Sequence, residues 1–159
     1  MASIDTEAIW AALTDRLKEN ASGFNRISRR RRDWSIEECP VLMVLDDSGD
    51  EDPVSDPSAP APVWRLGGEL IILARTQDTD EQPTAKLNDL VKNVREALER
   101  KPTDPIGLGA FYGNGHVQHY TNLGGLIREF SISKVEKGSG EATGKAVAKI
   151  TIQMETVAL

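Results

Sequence analysis

The chain has 159 residues, 39% of them apolar and 28% charged, with a net charge of −6. That length suits one domain with one core. No apolar run nears the roughly 18 residues that cross a bilayer, and the single cysteine, Cys39, excludes an internal disulfide and makes a reducing compartment the default. The acidic balance argues against nonspecific wrapping around nucleic acid, though an acidic surface would let DNA slide past. Met1-Ala2-Ser3-Ile4-Asp5 lacks the basic and then apolar regions of a signal peptide.

The first predicted element is a helix. Asp5 is a candidate N-cap, with Ile4 and Ile9 at the two positions of a hydrophobic staple. Ile9, Trp10, Leu13 and Leu17 form an apolar stripe at helical spacing, which assigns Trp10 to the core. Asn20-Ala21-Ser22-Gly23 ends the helix. A short strand is expected between Phe24 and Arg29. The sharpest local charge feature follows, because Arg29, Arg30, Arg31 and Arg32 are consecutive and lead into Asp33-Trp34. Three readings stand side by side. The arginines pair with local carboxylates such as Glu37 and Glu38, they contact a protein partner, or they contact nucleic acid. Arginine and tryptophan together are enriched at interface hot spots.

Cys39-Pro40 leads into Val41-Leu42-Met43-Val44-Leu45, an unbroken apolar run expected as a strand buried on both faces. Cys39 reads as a small buried apolar group, with no base partner nearby to make it a nucleophile. From about 47 to 62 the chain becomes acidic and proline-rich, holding Asp50, Glu51, Asp52 and Asp56 with Pro53, Pro57, Pro60 and Pro62. A long mobile loop is expected here. Asp46, Ser48 and Asp50 imitate the start of a calcium loop, but Glu51 and Pro57 stand where it needs glycine and glutamate.

Val63 to Thr76 is expected as a strand centred on Leu70-Ile71-Ile72-Leu73, with Gly67-Gly68 marking a bulge or a close backbone approach. A second helix is expected from Pro83, with Leu87, Leu90, Val91, Val94 and Leu98 on one face and Pro102 as its stop. The glycine-rich stretch 102–122 is irregular. It lacks the strand-then-helix context of a phosphate loop, and His116 and His119 have no accompanying carboxylate or thiol cluster for a metal. The segment from Leu123 to Val157 closes the chain with two expected strands. Ala146, Ala148, Ile150, Ile152 and Met154 alternate with polar residues, as do Leu126, Arg128, Phe130 and Ile132 before a turn expected at 137–141. The prediction is a single α+β domain: a mixed, mainly antiparallel sheet covered by two main helices. No nucleophile elbow, lysine-bearing phosphate loop or acid–base pair stands out, so neither an enzyme nor a cofactor or metal site is expected.

The order of these elements resembles the lambda-type phage tail terminator family, also known as minor tail protein U. The resemblance rests on Ile9-Trp10-Ala11-Ala12-Leu13 with Leu17, Ile27-Ser28-Arg29-Arg30, Trp34, and Cys39-Pro40-Val41-Leu42. It continues through Leu70-Ile71-Ile72-Leu73-Ala74, the helix with Leu87, Asn88, Leu90 and Val91, Leu123-Gly124-Gly125-Leu126-Ile127, and Ala146-Val147-Ala148-Lys149-Ile150. Each motif is short and apolar, and their order carries the match. The resemblance implies a virion protein at the head-proximal end of the tail, assembled in the host cytoplasm. It implies a homo-hexameric ring that stops tube polymerisation and joins the head. The partners would then be other copies, the tail tube protein and the head–tail connector, with genomic DNA passing the lumen unbound and no membrane involved. Arg29, Arg30, Arg31, Arg32, Trp34, Asp50, Glu51 and Asp52 are the candidate protein-contact residues, because the basic turn and the acidic loop are complementary in charge. The alternatives are a head–tail connector and, from another class, a small ligand-binding or enzymatic module using the 107–119 segment.

Overall fold

A computed structural model describes residues 4–47, 49–59, 61–76, 84–102, 119–140 and 144–157, without the side chains of 139 and 140. Helix α1, Thr6–Asn20, starts where Asp5 accepts the Ala8 N–H at 3.0 Å, and it buries Ile9, Trp10, Leu13 and Leu17. Strand β1, Arg26–Ser28, runs parallel to β2, Val41–Leu45. Strands β3, Glu51–Val54, and β4, Val63–Arg75, come next, followed by helix α2, Ala85–Leu98. Strands β5, Glu129–Gly140, and β6, Lys145–Val157, close the fold. The sheet order is β1-β2-β4-β6-β5, and every pairing but β1–β2 is antiparallel. This is the expected α+β architecture: among the described residues, two α-helices on one six-stranded sheet.

The main core lies on the helix side. Leu66, Leu70, Ile72 and Ala74 of β4 alternate inward, as do Ala146, Ala148, Ile150, Ile152 and Met154 of β6. They meet Trp10, Leu13 and Leu17 of α1 and Leu87, Leu90, Val94 and Leu98 of α2. The other face carries a smaller cluster of Trp34, Cys39, Val41, Met43, Leu45 and Leu73. All five residues of β2 are therefore buried, because each face of that strand is covered by a different cluster. The middle of this second face is polar, with Arg65 and Glu69 on β4 and Thr151, Gln153 and Glu155 on β6 in cross-strand register.

The glycine pair in β4 marks a close approach. A Cβ on Gly68 would lie 2.3 Å from the Trp10 ring and 2.7 Å from the Leu45 carbonyl oxygen. Glycine is thus what lets α1 lay its tryptophan on the strand. Gly49 is as tightly held, since a Cβ there would lie 1.9 Å from the Gly67 carbonyl oxygen.

Two sequence expectations are corrected. The segment 47–62 is not a loop throughout, because β3 pairs with residues 63–66 of β4. The reason is geometric. β2 occupies only 69–73 of that edge of β4, and the remaining backbone groups take a partner. Pro53 fits because the Gly67 N–H donates to the Asp50 carbonyl at 2.9 Å. Antiparallel alternation from that bond directs Asp52 and Val54 toward β4 and the Pro53 nitrogen outward, where a missing donor costs no ladder bond. The turn expected at 137–141 is also displaced. Lys137, Gly138 and Ser139 pair with Ala148, Val147 and Ala146, so β5 runs on to Gly140. A bulge between Ile132 and Lys134 shifts the phase, so that Val135 rather than Lys134 follows Ile132 onto the core side. Leu126, expected in this strand, precedes it and is 41% exposed. Pro83 lies outside the described residues.

Gly68→Ala should lower stability by about 1–3 kcal/mol through overpacking against Trp10. Gly138→Ala, whose Cβ meets nothing within 4 Å, should stay within about 0.5 kcal/mol of the parent. Urea unfolding followed by tryptophan fluorescence measures both.

Candidate functional site

Parallel pairing of β1 on β2 carries the arginine run along the sheet edge beside Asp46 and Asp47, where β2 ends. Arg29 bonds Glu7 of α1 and lies 3.3 Å from Asp46. Arg31 forms a fork on Asp47 at 3.2 and 3.3 Å. Arg32 bonds Glu38 and stacks 3.8 Å above the Trp34 ring. The Arg29 hydrogen bond holds the Glu7 carboxyl below its usual range, and the Arg31 hydrogen bond does the same for Asp47. The reading in which local carboxylates pair with the arginines therefore describes three of the four. Glu38 is one of the two carboxylates expected to do so; Glu7, Asp46 and Asp47 also take part.

Arg30 differs. It is exposed, its backbone N–H is bonded to the Ser28 hydroxyl at 3.0 Å, and its guanidinium has no ion pair among the described residues. Trp34 is buried, 5% exposed, as the lid of the smaller cluster, so within one subunit its ring already has a packing partner. Asp50, Glu51 and Asp52 are exposed and make no ion pair among the described residues. The structure thus separates the eight candidates. Arg29, Arg31, Arg32 and Trp34 are engaged within the subunit, whereas Arg30, Asp50, Glu51 and Asp52 are left to solvent or a partner.

A polar recess of about 250 Å³ opens beside Asp50 and Asp52 on the helix-free face. Arg65, Glu69, Thr151 and Gln153 line it, and Lys149 holds Glu69 at 3.3 Å. No nucleophile with an adjacent base lines this recess. Cys39 is buried, its thiol donates to the Ser35 carbonyl at 3.4 Å, and burial pushes it up, away from the reactive thiolate. His119 is exposed, edge-on to Tyr120 and 3.8 Å from Glu99. His116, like most of the 107–119 segment, lies outside the described residues. Among the described residues no group of three histidine, cysteine, aspartate or glutamate side chains converges as a metal site, and no helix is long and apolar enough to cross a membrane.

No protein-family model matches the chain, and neither does any curated protein. Solved structures do. One chain of a structure described as the virion of the native gene transfer agent (GTA) particle superposes with a TM-score of 0.59. The likeness covers 96% of this chain and 96% of that one, at 11% sequence identity. At that identity it is a likeness of fold, and it extends through the whole domain.

One ionic cluster has no clear signal in the sequence. Arg128, just before β5, reaches Asp56 at 2.6 Å and Glu155 of β6 at 2.9 Å, and Arg65 approaches Glu155 at 3.4 Å. The cluster staples the turn after β3 onto the end of the sheet. Asp56 also accepts the Ser58 N–H at 3.0 Å and its hydroxyl at 2.6 Å. Together the Ser58 and Arg128 hydrogen bonds bring the Asp56 carboxyl down to about 2. A depressed carboxyl stabilises the fold above its unfolded value and loses that effect as pH falls through the folded one. The Asp56 contribution should therefore be complete above about pH 4 and fade toward pH 2. Asp56→Asn should lower stability at pH 6 and flatten the acid limb between those values in urea titrations. An acid limb identical to the parent's would reject this role.

Proposed function

We propose that this chain is a structural virion protein whose copies form a ring on the end of a tail tube, stopping its growth and offering a surface for head joining. The observation that carries the virion assignment is the whole-domain likeness to a chain of a gene transfer agent virion. The finer role rests on the ordered resemblance to tail terminators, from Ile9-Trp10 in α1 to Ala146-Val147-Ala148 in β6. A ring of identical subunits needs a heterologous contact that closes on itself. Exposed charges of both signs that are unpaired among the described residues, Arg30 and the run Asp50-Glu51-Asp52, supply groups that a neighbouring protein can complete. The reading is non-enzymatic and needs no cofactor. Its partners are further copies, the tube protein and the connector, with DNA passing the lumen unbound.

An early stop codon in this gene should give headless tails of excessive or irregular length in electron micrographs of particle lysates. Tails of normal length beside unattached heads would assign the protein to the connector instead, and intact particles would reject a virion-assembly role. Arg30→Ser should leave the thermal melt of the purified subunit within about 0.5 kcal/mol of the parent and reduce the yield of joined particles. Unchanged yield would remove Arg30 from the contact surface.

A further inference from the structure

We infer that successive copies meet edge to edge, with β5 of one subunit against the β3 edge of the next, and that Lys134 there meets Asp50 and Asp52 on the helix-free face while Lys137 meets Glu51 on the helix face. This contact rests on the ring reading and specifies its interface. The sheet order puts β5 at one border, while β3 lies on the far side of β4, beyond β6. The two edges are chemically unlike. β5 is 12 residues long and contains no proline, so every residue facing its unpaired side offers an N–H as well as a carbonyl. β3 presents outward carbonyls at Glu51 and Pro53, but Pro53 removes one of the two outward donors. Two β3 edges therefore pair poorly with each other, and their carboxylates repel. A β5 edge supplies the donors that a β3 edge lacks.

Strand direction agrees. β2, β3 and β6 all run opposite to β4, and β5 runs opposite to β6. Copies placed side by side in one orientation set β5 antiparallel to the neighbour's β3, the arrangement with ladder bonds perpendicular to the strands. Charge agrees as well. Lys134 and Lys137 are exposed on β5; among the described residues Lys134 pairs with the neighbouring Glu136 at 3.3 Å, and Lys137, on the helix side, donates to the Asn88 side-chain oxygen of α2 at 2.5 Å. The exposed Lys134 ion pair is weak, and the Lys137 bond to a neutral amide leaves its charge unmatched, so both ammonium groups can turn to a facing carboxylate. Because the two edges lie on opposite sides of one sheet, the contact is heterologous, the kind that closes into a ring.

Zero-length carbodiimide coupling, which joins lysine to carboxylate, tests the contact on particles assembled from mixed ¹⁴N and ¹⁵N subunits. Mass spectrometry should find mixed-isotope links between Lys134 or Lys137 and the 50–52 segment. Mixed-isotope links between copies only at other residues, or no links between copies, would overturn the contact. Glu51→Lys with Asp52→Lys, and separately Lys137→Glu with Lys134→Glu, should each cut joined particles about 100-fold, and the four changes together should recover to within about 10-fold of wild type, as expected when opposed charges are exchanged on both faces. Thermal melts of the purified variants confirm that each still folds. Either pair at wild-type yield, or no recovery in the combination, would overturn the contact while leaving the ring itself standing. The stop-codon phenotype reports on the ring's role independently of both.

Discussion

The thirteen-residue ladder between β4 and β6 is the constraint around which the other elements are placed. It fixes which side chains of each strand face the helices, because a one-residue slip would exchange core and solvent faces along its whole length. Leu66, Leu70 and Ile72 on one strand and Ile150, Ile152 and Met154 on the other then form a surface that neither strand makes alone. Helices α1 and α2 cover that surface. β2 and β3 divide the free edge of β4 between them, and the excursion between them lies so close to the Gly67 carbonyl at Gly49 that no side chain fits there.

Much of this was legible in the sequence where one period dominated. The alternation from Ala146 onward and the stripe of Leu87, Leu90, Val91 and Val94 each had one reading, and the structure keeps both. Trp10 was legible as core from its spacing alone. The errors fell where local composition spoke against a tertiary demand. Proline and aspartate around Pro53 signal a loop, yet an unfilled sheet edge recruits four of those residues as a strand. Glycine and serine at Gly138 and Ser139 signal a turn, yet the long partner strand carries the pairing through them. Phase was harder still, since a bulge at Ser133 leaves no compositional mark.

The candidate contact surface was half legible. A run of four arginines announces charge, but not which charges are already spent within the fold. The carboxylates that answer Arg29 and Arg31 are Glu7, Asp46 and Asp47, brought close by the parallel β1–β2 pairing and by the position of α1. The Arg128 cluster was illegible because its members, Arg65, Asp56 and Glu155, come from distant parts of the chain. Each is an ordinary surface charge until the sheet assembles.

The internal pairing of the arginine turn also sets how far that turn can be felt. Four cations in sequence would project a strong field, but three are answered within contact distance by carboxylates of the same subunit. What remains beyond about 8 Å at physiological salt is close to neutral. An approaching macromolecule is therefore not drawn in from a distance by this corner of the molecule. A partner contact of the kind proposed there would begin only at touching distance, where the orientation of one guanidinium matters more than the charge count, at rates typical of unsteered docking.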